Sequence, residues 1–229
     1  MADLLPTDDI MDIVGFRLPL PHMAARVSRG DPVKIVAIGS SSTRGAGGTE
    51  PYPSLLQEAL KARYPGRQID VLNKGVDGEE AANEVKRFAQ DVVAQQPTLV
   101  IWQVGTNAAW KGYDLDEVEK TIRNGLIELK SLDADVVLMD LQYTTAMIDP
   151  VTLANSHDMN ARIARIAREL DVNVFRRFAL MRFWNVVWKV PVADLTEPGG
   201  DHLHQSDLSY RGLALAFDRV IAEAPKTGV

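Results

Sequence analysis

Four short clusters in this 229-residue chain hold side chains from which a nucleophilic hydrolysis can be assembled. Gly39-Ser40-Ser41-Ser42-Thr43 offers a hydroxyl, and Asn73-Lys74-Gly75-Val76-Asp77-Gly78 offers unhindered backbone N–H groups. Gly105-Thr106-Asn107 offers an amide, while Asp201-His202-Leu203-His204 supplies a carboxylate and two imidazoles. A serine hydroxyl is a poor nucleophile near neutral pH and needs a neighbouring base; imidazole, with a reference pKa of about 6.5, suits that task. A carboxylate three residues from a histidine can orient the ring from the same turn. The tetrahedral oxyanion formed by attack on a carbonyl needs converging N–H donors. Residue types alone leave open which of the three serines attacks and which of His202 and His204 is the base. Each cluster also has a plain structural use: serines cap turns, and asparagine tolerates a left-handed one.

These clusters must be positioned by regular elements, and the chain alternates in a way that does so. Val33 to Ile38 is a nearly continuous apolar run ending at Gly39, the pattern of a buried parallel strand. Ile69 to Leu72, Leu99 to Trp102, Val136 to Met139 and Val172 to Phe175 repeat it. Between them, helical spacing runs over Tyr52 to Tyr64, Glu79 to Gln95, Leu115 to Leu132 and Leu153 to Leu170, with a last helix capped by Ser206 or Asp207 and reaching about Ala222. Five strands alternating with helices predict a three-layer α/β/α sandwich on a five-stranded parallel sheet. Ligands of such open sheets sit beyond the carboxyl ends of the strands, where the four clusters fall, three at strand ends and the last before the final helix. The aromatic-rich stretch from Arg176 to Gly200 fits least well. It reads either as a pocket lining or as core or dimer packing.

The four blocks, in this order and beside these elements, resemble the SGNH (GDSL) hydrolase superfamily from Val33 to about Ala222. That resemblance implies a flavodoxin-like SGNH hydrolase fold of esterase or lipase type. It assigns the nucleophile to Ser41, the base and its orienting acid to His204 and Asp201, and the oxyanion donors to Gly78, the Asn107 amide and the Ser41 N–H. Two positions depart from the family pattern: Ser40 stands where Asp is usual, and Ser42 where an apolar residue is usual. The implied reaction is cleavage of carboxylic esters through an acyl-enzyme, with short acyl or acetyl groups favoured and a carbohydrate ester as one option. Longer-chain thioesterase or lysophospholipase activity is the alternative, as is a glycan- or partner-binding protein without turnover. Trp110, Tyr113, Tyr143, Trp184 and Trp188 are candidates for the substrate rim, since aromatic faces stack on sugars or line acyl slots.

Other classes are disfavoured. The α/β-hydrolase elbow Gly-x-Ser-x-Gly is absent, and so are the phosphate-loop and dinucleotide glycine patterns. No cofactor and no metal site are expected, and the absence of Cys removes disulfides, thiolate zinc and iron–sulfur centres. A net charge of −6 argues against a nucleic-acid partner. No stretch approaches the roughly 18 apolar residues of a membrane span, and the first residues lack the look of a signal peptide. The compartment is left open between the cytoplasm and, had a leader been removed, the periplasm or exterior; oligomeric state is likewise open. Composition, 46% hydrophobic and 24% charged, is that of a globular chain, and surface scaling predicts roughly 10,300 Å² of folded surface. Residues 1–32, interrupted by Pro19, Pro21 and Pro32, read as an arm packed across a single domain at 33–229. Arg26 and Arg29 in that arm read as a solvated face, with a ligand rim as the other option.

Overall fold

Five short apolar runs build the sheet. In the computed structural model, which describes residues 4–46 and 48–226, they are β1 (Val33–Gly39), β2 (Ile69–Gly75), β3 (Leu99–Gln103), β4 (Asp135–Met139) and β5 (Asn173–Phe175). All neighbours pair in parallel, in the order β2-β1-β3-β4-β5. This is a doubly wound order, which opens a crevice at the carboxyl edge where the winding reverses beside β1.

The helices are α1 (Asp8–Val14), α2 (Pro21–Arg29), α3 (Ser41–Arg44), α4 (Tyr52–Arg63), α5 (Ala81–Lys86), α6 (Thr106–Lys111), α7 (Leu115–Lys130), α8 (Pro150–Glu169), α9 (Arg177–Val186), α10 (Val192–Leu195) and α11 (Asp207–Ala222). Strand alternation sends Ile35, Ala37, Ile101 and Val137 to one face, where α1, α4, α9 and α11 cover them. Val36, Ile38, Val100, Trp102 and Leu138 go to the other face, under α5, α7 and α8. Each fully buried aliphatic side chain contributes about 1.5–3 kcal/mol. Local chemistry sets several ends. Asp114 caps α7 through the N–H groups of Asp116 and Glu117, and Ser206 caps α11 through that of Ser209.

The helix expected from Glu79 to Gln95 is broken. After α5 the chain takes a wider π-helical turn over Phe88–Val92 and a 3₁₀ turn over Val93–Gln95. Phe88 and Val92 both reach the core, Phe88 edge-on to Trp102 with ring centroids 5.0 Å apart. Packing on that ring overrides the regular periodicity.

The segment before β1 lies on the body of the molecule. Ile10 and Val14 of α1 and Met23 of α2 are buried in the first face. Two strand residues hold the backbone of this segment. Asn173 Oδ1 accepts the N–H groups of Arg17 (3.1 Å) and Leu18 (3.0 Å), and Asn173 Nδ2 donates to Leu18 O (2.9 Å). The Asp135 carboxylate accepts the N–H groups of Met23 (2.8 Å) and His22 (3.3 Å) at the start of α2. The accessible surface of 10266 Å² matches the area scaling for a compact body of this mass. The outermost residues of the expected arm and domain, 1–3 and 227–229, lie outside the described residues, as does Gly47.

The aromatic rings of the stretch from Arg176 to Gly200 pack into or against the core. Trp184 is fully buried, and α11 approaches its ring so closely that a Cβ at Gly212 would lie 2.8 Å from it. Trp188 packs edge-on to Phe183, and Tyr143 edge-on to Phe178.

Candidate functional site

The chain leaves β1 at Gly39 and turns immediately into α3. Gln103, the only polar residue of β3, reaches across to hold that turn. Its Oε1 accepts from Ser40 N–H (3.0 Å), Ser40 Oγ (2.9 Å), Ser42 Oγ (2.9 Å) and Thr43 Oγ1 (3.2 Å). The hydroxyls on either side of Ser41 are thus directed inward. The Ser41 Oγ lies instead 2.8 Å from His204 Nε2. Gly75, at the end of β2, lets that strand approach α3, because a Cβ there would stand 2.2 Å from Arg44 N.

His204 Nδ1 lies 2.9 Å from Asp201 Oδ1, which also accepts the N–H groups of Leu203 (2.9 Å) and His204 (3.3 Å). An ionised carboxylate only accepts, so Nδ1 carries the proton and Nε2 is left to accept from the serine. Burial acts to raise the Asp201 carboxyl, but the Leu203 N–H and the facing imidazole outweigh it and hold the group below its ordinary range. His202 is exposed with φ of +61°, and it stands outside the cleft lining.

These groups open into a cleft of about 450 Å³ whose walls include Ser41, Gly78, Asn107, Trp110, Asp201 and His204. Gly78 has φ of +73°, a left-handed conformation that glycine adopts without strain. Among the described residues, no backbone carbonyl takes the N–H of Ser41 or of Gly78. Asn107 is only 3% exposed, on the first turn of α6, and its Nδ2 donates to Glu79 O at 2.9 Å. That leaves the second amide hydrogen for the cleft. Of the expected rim residues Trp110 lines the cleft, while Tyr113, Tyr143, Trp184 and Trp188 do not; Tyr113 is exposed, and the latter three complete the apolar packing of α9 and its neighbours. Arg26 and Arg29 are also away from it, at the end of α2, with Arg29 paired to Asp31.

Several residues of this region carry no motif signal. Arg44 pairs with Asp77 at the mouth, and Lys111 stands beside them. Glu80 is buried, with Oε1 accepting Ala108 N–H at 2.7 Å, so it ties the glycine loop to α6. Burial raises its carboxyl to about 7 against the pull of the Ala108 and Ala81 N–H groups. Behind it, burial pushes Glu84 well up even though Trp102 Nε1 donates to it at 2.7 Å. In sequence these acids look like the solvated first turn of a helix; only packing buries them. Carboxylates of Glu197 and Asp201 approach His204 closely enough for shared cation ligation, with ligand atoms within 4.8 Å of one another. Both ring nitrogens of His204, however, already have partners in Asp201 and Ser41. A cation there would displace one of them.

Residues 9–226 match the model of the Non-GDSL lipase-like family. The chain belongs to that family. This corrects the SGNH (GDSL) assignment drawn from the four blocks and the SGNH fold name that went with it; the parallel five-stranded α/β sandwich is the observed architecture. At Ser40, where a GDSL block would carry a carboxylate, the hydroxyl donates to Gln103. Over 111 residues this member of the Non-GDSL lipase-like family is 36% identical to an acetylxylan esterase of Geobacillus stearothermophilus, covering 44% of this chain and 49% of the relative. Over 91 residues it is 26% identical to an arylesterase of Vibrio mimicus, covering 40% and 44%. The chain thus spans about half the length of these curated relatives. A solved structure of the Geobacillus stearothermophilus acetylxylan esterase superimposes with a TM-score of 0.69 at 28% identity, covering 82% of this chain and 94% of that one. Forms of that enzyme altered at a serine, and at an aspartate and a histidine with the Asp-x-x-His spacing, are described as catalytic mutants. Among the described residues no helix is long and apolar enough to cross a membrane.

Proposed function

We propose that this chain is a serine esterase that removes short acyl groups, acetyl above all, from a carbohydrate. The observation that carries the reading is the unbroken chain Asp201–His204–Ser41, with separations of 2.9 and 2.8 Å, opening into a cleft that also holds Gly78 and Asn107. His204 Nε2 takes the Ser41 proton as Oγ attacks the acyl carbon, and Asp201 stabilises the imidazolium. The Ser41 and Gly78 N–H groups and the Asn107 amide receive the oxyanion. The imidazolium then protonates the departing sugar oxygen, leaving an acyl-serine. Water, deprotonated by the same ring, releases the carboxylic acid and restores the hydroxyl.

The shape of the cleft supports a small acyl group. Its apolar lining amounts to Ala46, Leu203 and the Trp110 ring, too little to desolvate a long chain. The half-exposed Trp110 can stack on a sugar ring while Arg44, Asp77 and Lys111 meet its hydroxyls. The kinship to an acetylxylan esterase points the same way. The test is a p-nitrophenyl ester series from acetate to palmitate, run beside acetylated xylan. Activity should be greatest on acetate and should release acetate from the glycan; a maximum at long chains would move the reading to a thioesterase or lysophospholipase. A chain that neither turns over any ester nor forms a fluorophosphonate adduct would be a binding protein.

A further inference from the structure

The first residue of α9, Arg177, is fully buried although it carries a guanidinium. Its Nε donates to Asp140 O at the end of β4 (3.0 Å). One terminal nitrogen donates to both Ser42 Oγ and Gln205 Oε1 (3.2 Å each), and the other to Thr106 Oγ1 (3.4 Å). The four acceptors are all neutral oxygens. Burial pulls the guanidinium down to about 10, against the charge of the nearby Asp140 carboxylate, so it remains a cation at neutral pH. A buried cation held only by neutral acceptors is a poor way to gain stability, since an apolar side chain of similar volume avoids the desolvation cost.

The placement of the acceptors supplies another reason. Ser42 follows Ser41, Thr106 precedes Asn107 and Gln205 follows His204. The three segments come from distant parts of the chain, beyond β1, beyond β3 and before α11. Ser42 Oγ in turn donates to Gln103, and Tyr210 OH donates to the Ser42 carbonyl at 3.1 Å, so the nucleophile turn is held from both sides. We propose that Arg177 is a positioning residue whose planar fork keeps the nucleophile, the oxyanion amide and the base in register by gripping the residue next to each. This rests on the esterase reading above. Arginine suits the role because its donors are fixed in one plane, whereas lysine offers a single rotating ammonium. The reacting atoms themselves are not touched by it.

The experiment compares Arg177→Met, Arg177→Lys and the arm variants Thr106→Val and Gln205→Met, using p-nitrophenyl acetate turnover, the fluorophosphonate labelling rate at Ser41 and melting temperature. Misplacement of a catalytic group by an ångström can cost about 100-fold, so Arg177→Met should lose about that in kcat and in labelling rate, with KM changed less than about threefold. Arg177→Lys should recover only part of the loss. Each arm variant should lower kcat by roughly three- to tenfold and add nothing further in the Arg177→Met background, the signature of groups acting as one unit. A folded Arg177→Met with kcat within about threefold of the parent, or losses that multiply independently, overturns the proposal. So does an activity loss that disappears when the variant is assayed well below its melting temperature. Should Arg177→Met fail to fold, the arm variants decide, and an unchanged kcat in both overturns it. A parent protein that labels normally beside unaffected variants sinks only the role of Arg177. A parent that neither labels nor turns over the ester sinks the esterase reading and this proposal together.

Discussion

Polar side chains are buried at both edges of the sheet, and they do different things there. At the amino edge, Asp135 and Asn173 face backbone N–H groups of the arm and of α2, satisfying donors that would otherwise be orphaned. Each contact there ends at a peptide group of the one segment before β1. At the carboxyl edge, Gln103 holds the turn after β1, Glu80 ties its loop to α6, and Arg177 spans three loops; apart from the Arg177 bond to Asp140 O, these contacts end one or two residues from Ser41, Asn107 or His204. The amino edge latches the chain; the carboxyl edge aligns groups that come from four loops. Changes at the first should therefore move stability and leave turnover alone, whereas changes at the second should move turnover.

The sharpest break of this contrast is at Ser41, the proposed nucleophile. Ser41→Ala should lower kcat by about 10⁴-fold or more and abolish the fluorophosphonate adduct, with little change in melting temperature. Ser40→Ala and Ser42→Ala should keep the adduct, and intact-mass spectrometry reads all three. An adduct that survives on the Ser41 variant would move the nucleophile elsewhere.

Next in size is Asn107→Ala. Removing one side-chain oxyanion donor costs roughly 10²–10³ in kcat, with KM affected far less. Because the amide is buried and bonded to Glu79 O, the variant should also lose about 1–2 kcal/mol of stability. Kinetics and a denaturant melt on one preparation separate the two effects. A fall in kcat below about fivefold returns Asn107 to a structural role.

The third concerns pH. The Glu80 carboxyl is raised by burial from its ordinary value of about 4.5 to about 7, so between those values the folded chain holds a proton there that the unfolded chain has lost. Its contribution is fully present below about pH 4.5 and is lost as pH rises through about 7. Asp140, raised by burial to about 7, acts in the same direction. At about 1.4 kcal/mol per pKa unit, Glu80 accounts for stability on the order of 3 kcal/mol across that window. Glu80→Gln should shrink the drop in denaturant midpoint between pH 5 and pH 8. An unchanged drop assigns it to other groups.

The smallest effect belongs to the amino edge. Asn173→Ala leaves two N–H groups and one carbonyl of the arm without their partner, a cost of about 1–2 kcal/mol. At this chain length that is roughly 2–8 °C in melting temperature, and kcat at 25 °C should stay within about twofold. A large loss of turnover in a folded Asn173→Ala would erase the distinction between the two edges.

Much of the frame was legible without coordinates. Apolar runs such as Val33 to Ile38 and Leu99 to Trp102 are strands because both faces of a parallel sheet are buried, and the pattern that results is visible in composition alone. The clusters after β1, β2 and β3 and before α11 carried the candidate groups because a hydroxyl, an amide and an Asp-x-x-His pair occur together in them, although each residue type alone also serves turns and caps. The family was misread from the same clusters: the family model that matches residues 9–226 is the Non-GDSL lipase-like one.

What only the tertiary structure decided is which polar and aromatic side chains go inside. Glu80 and Arg177 sit in sequence beside similar residues, Glu79 and Arg176, that have other surroundings. Trp184 is enclosed by a helix approach that depends on Gly212, far along the chain. Periodicity reports how a residue faces its own element, which short-range geometry sets. Burial of a charge or a ring depends on elements that meet across the sheet, and no local pattern encodes that meeting.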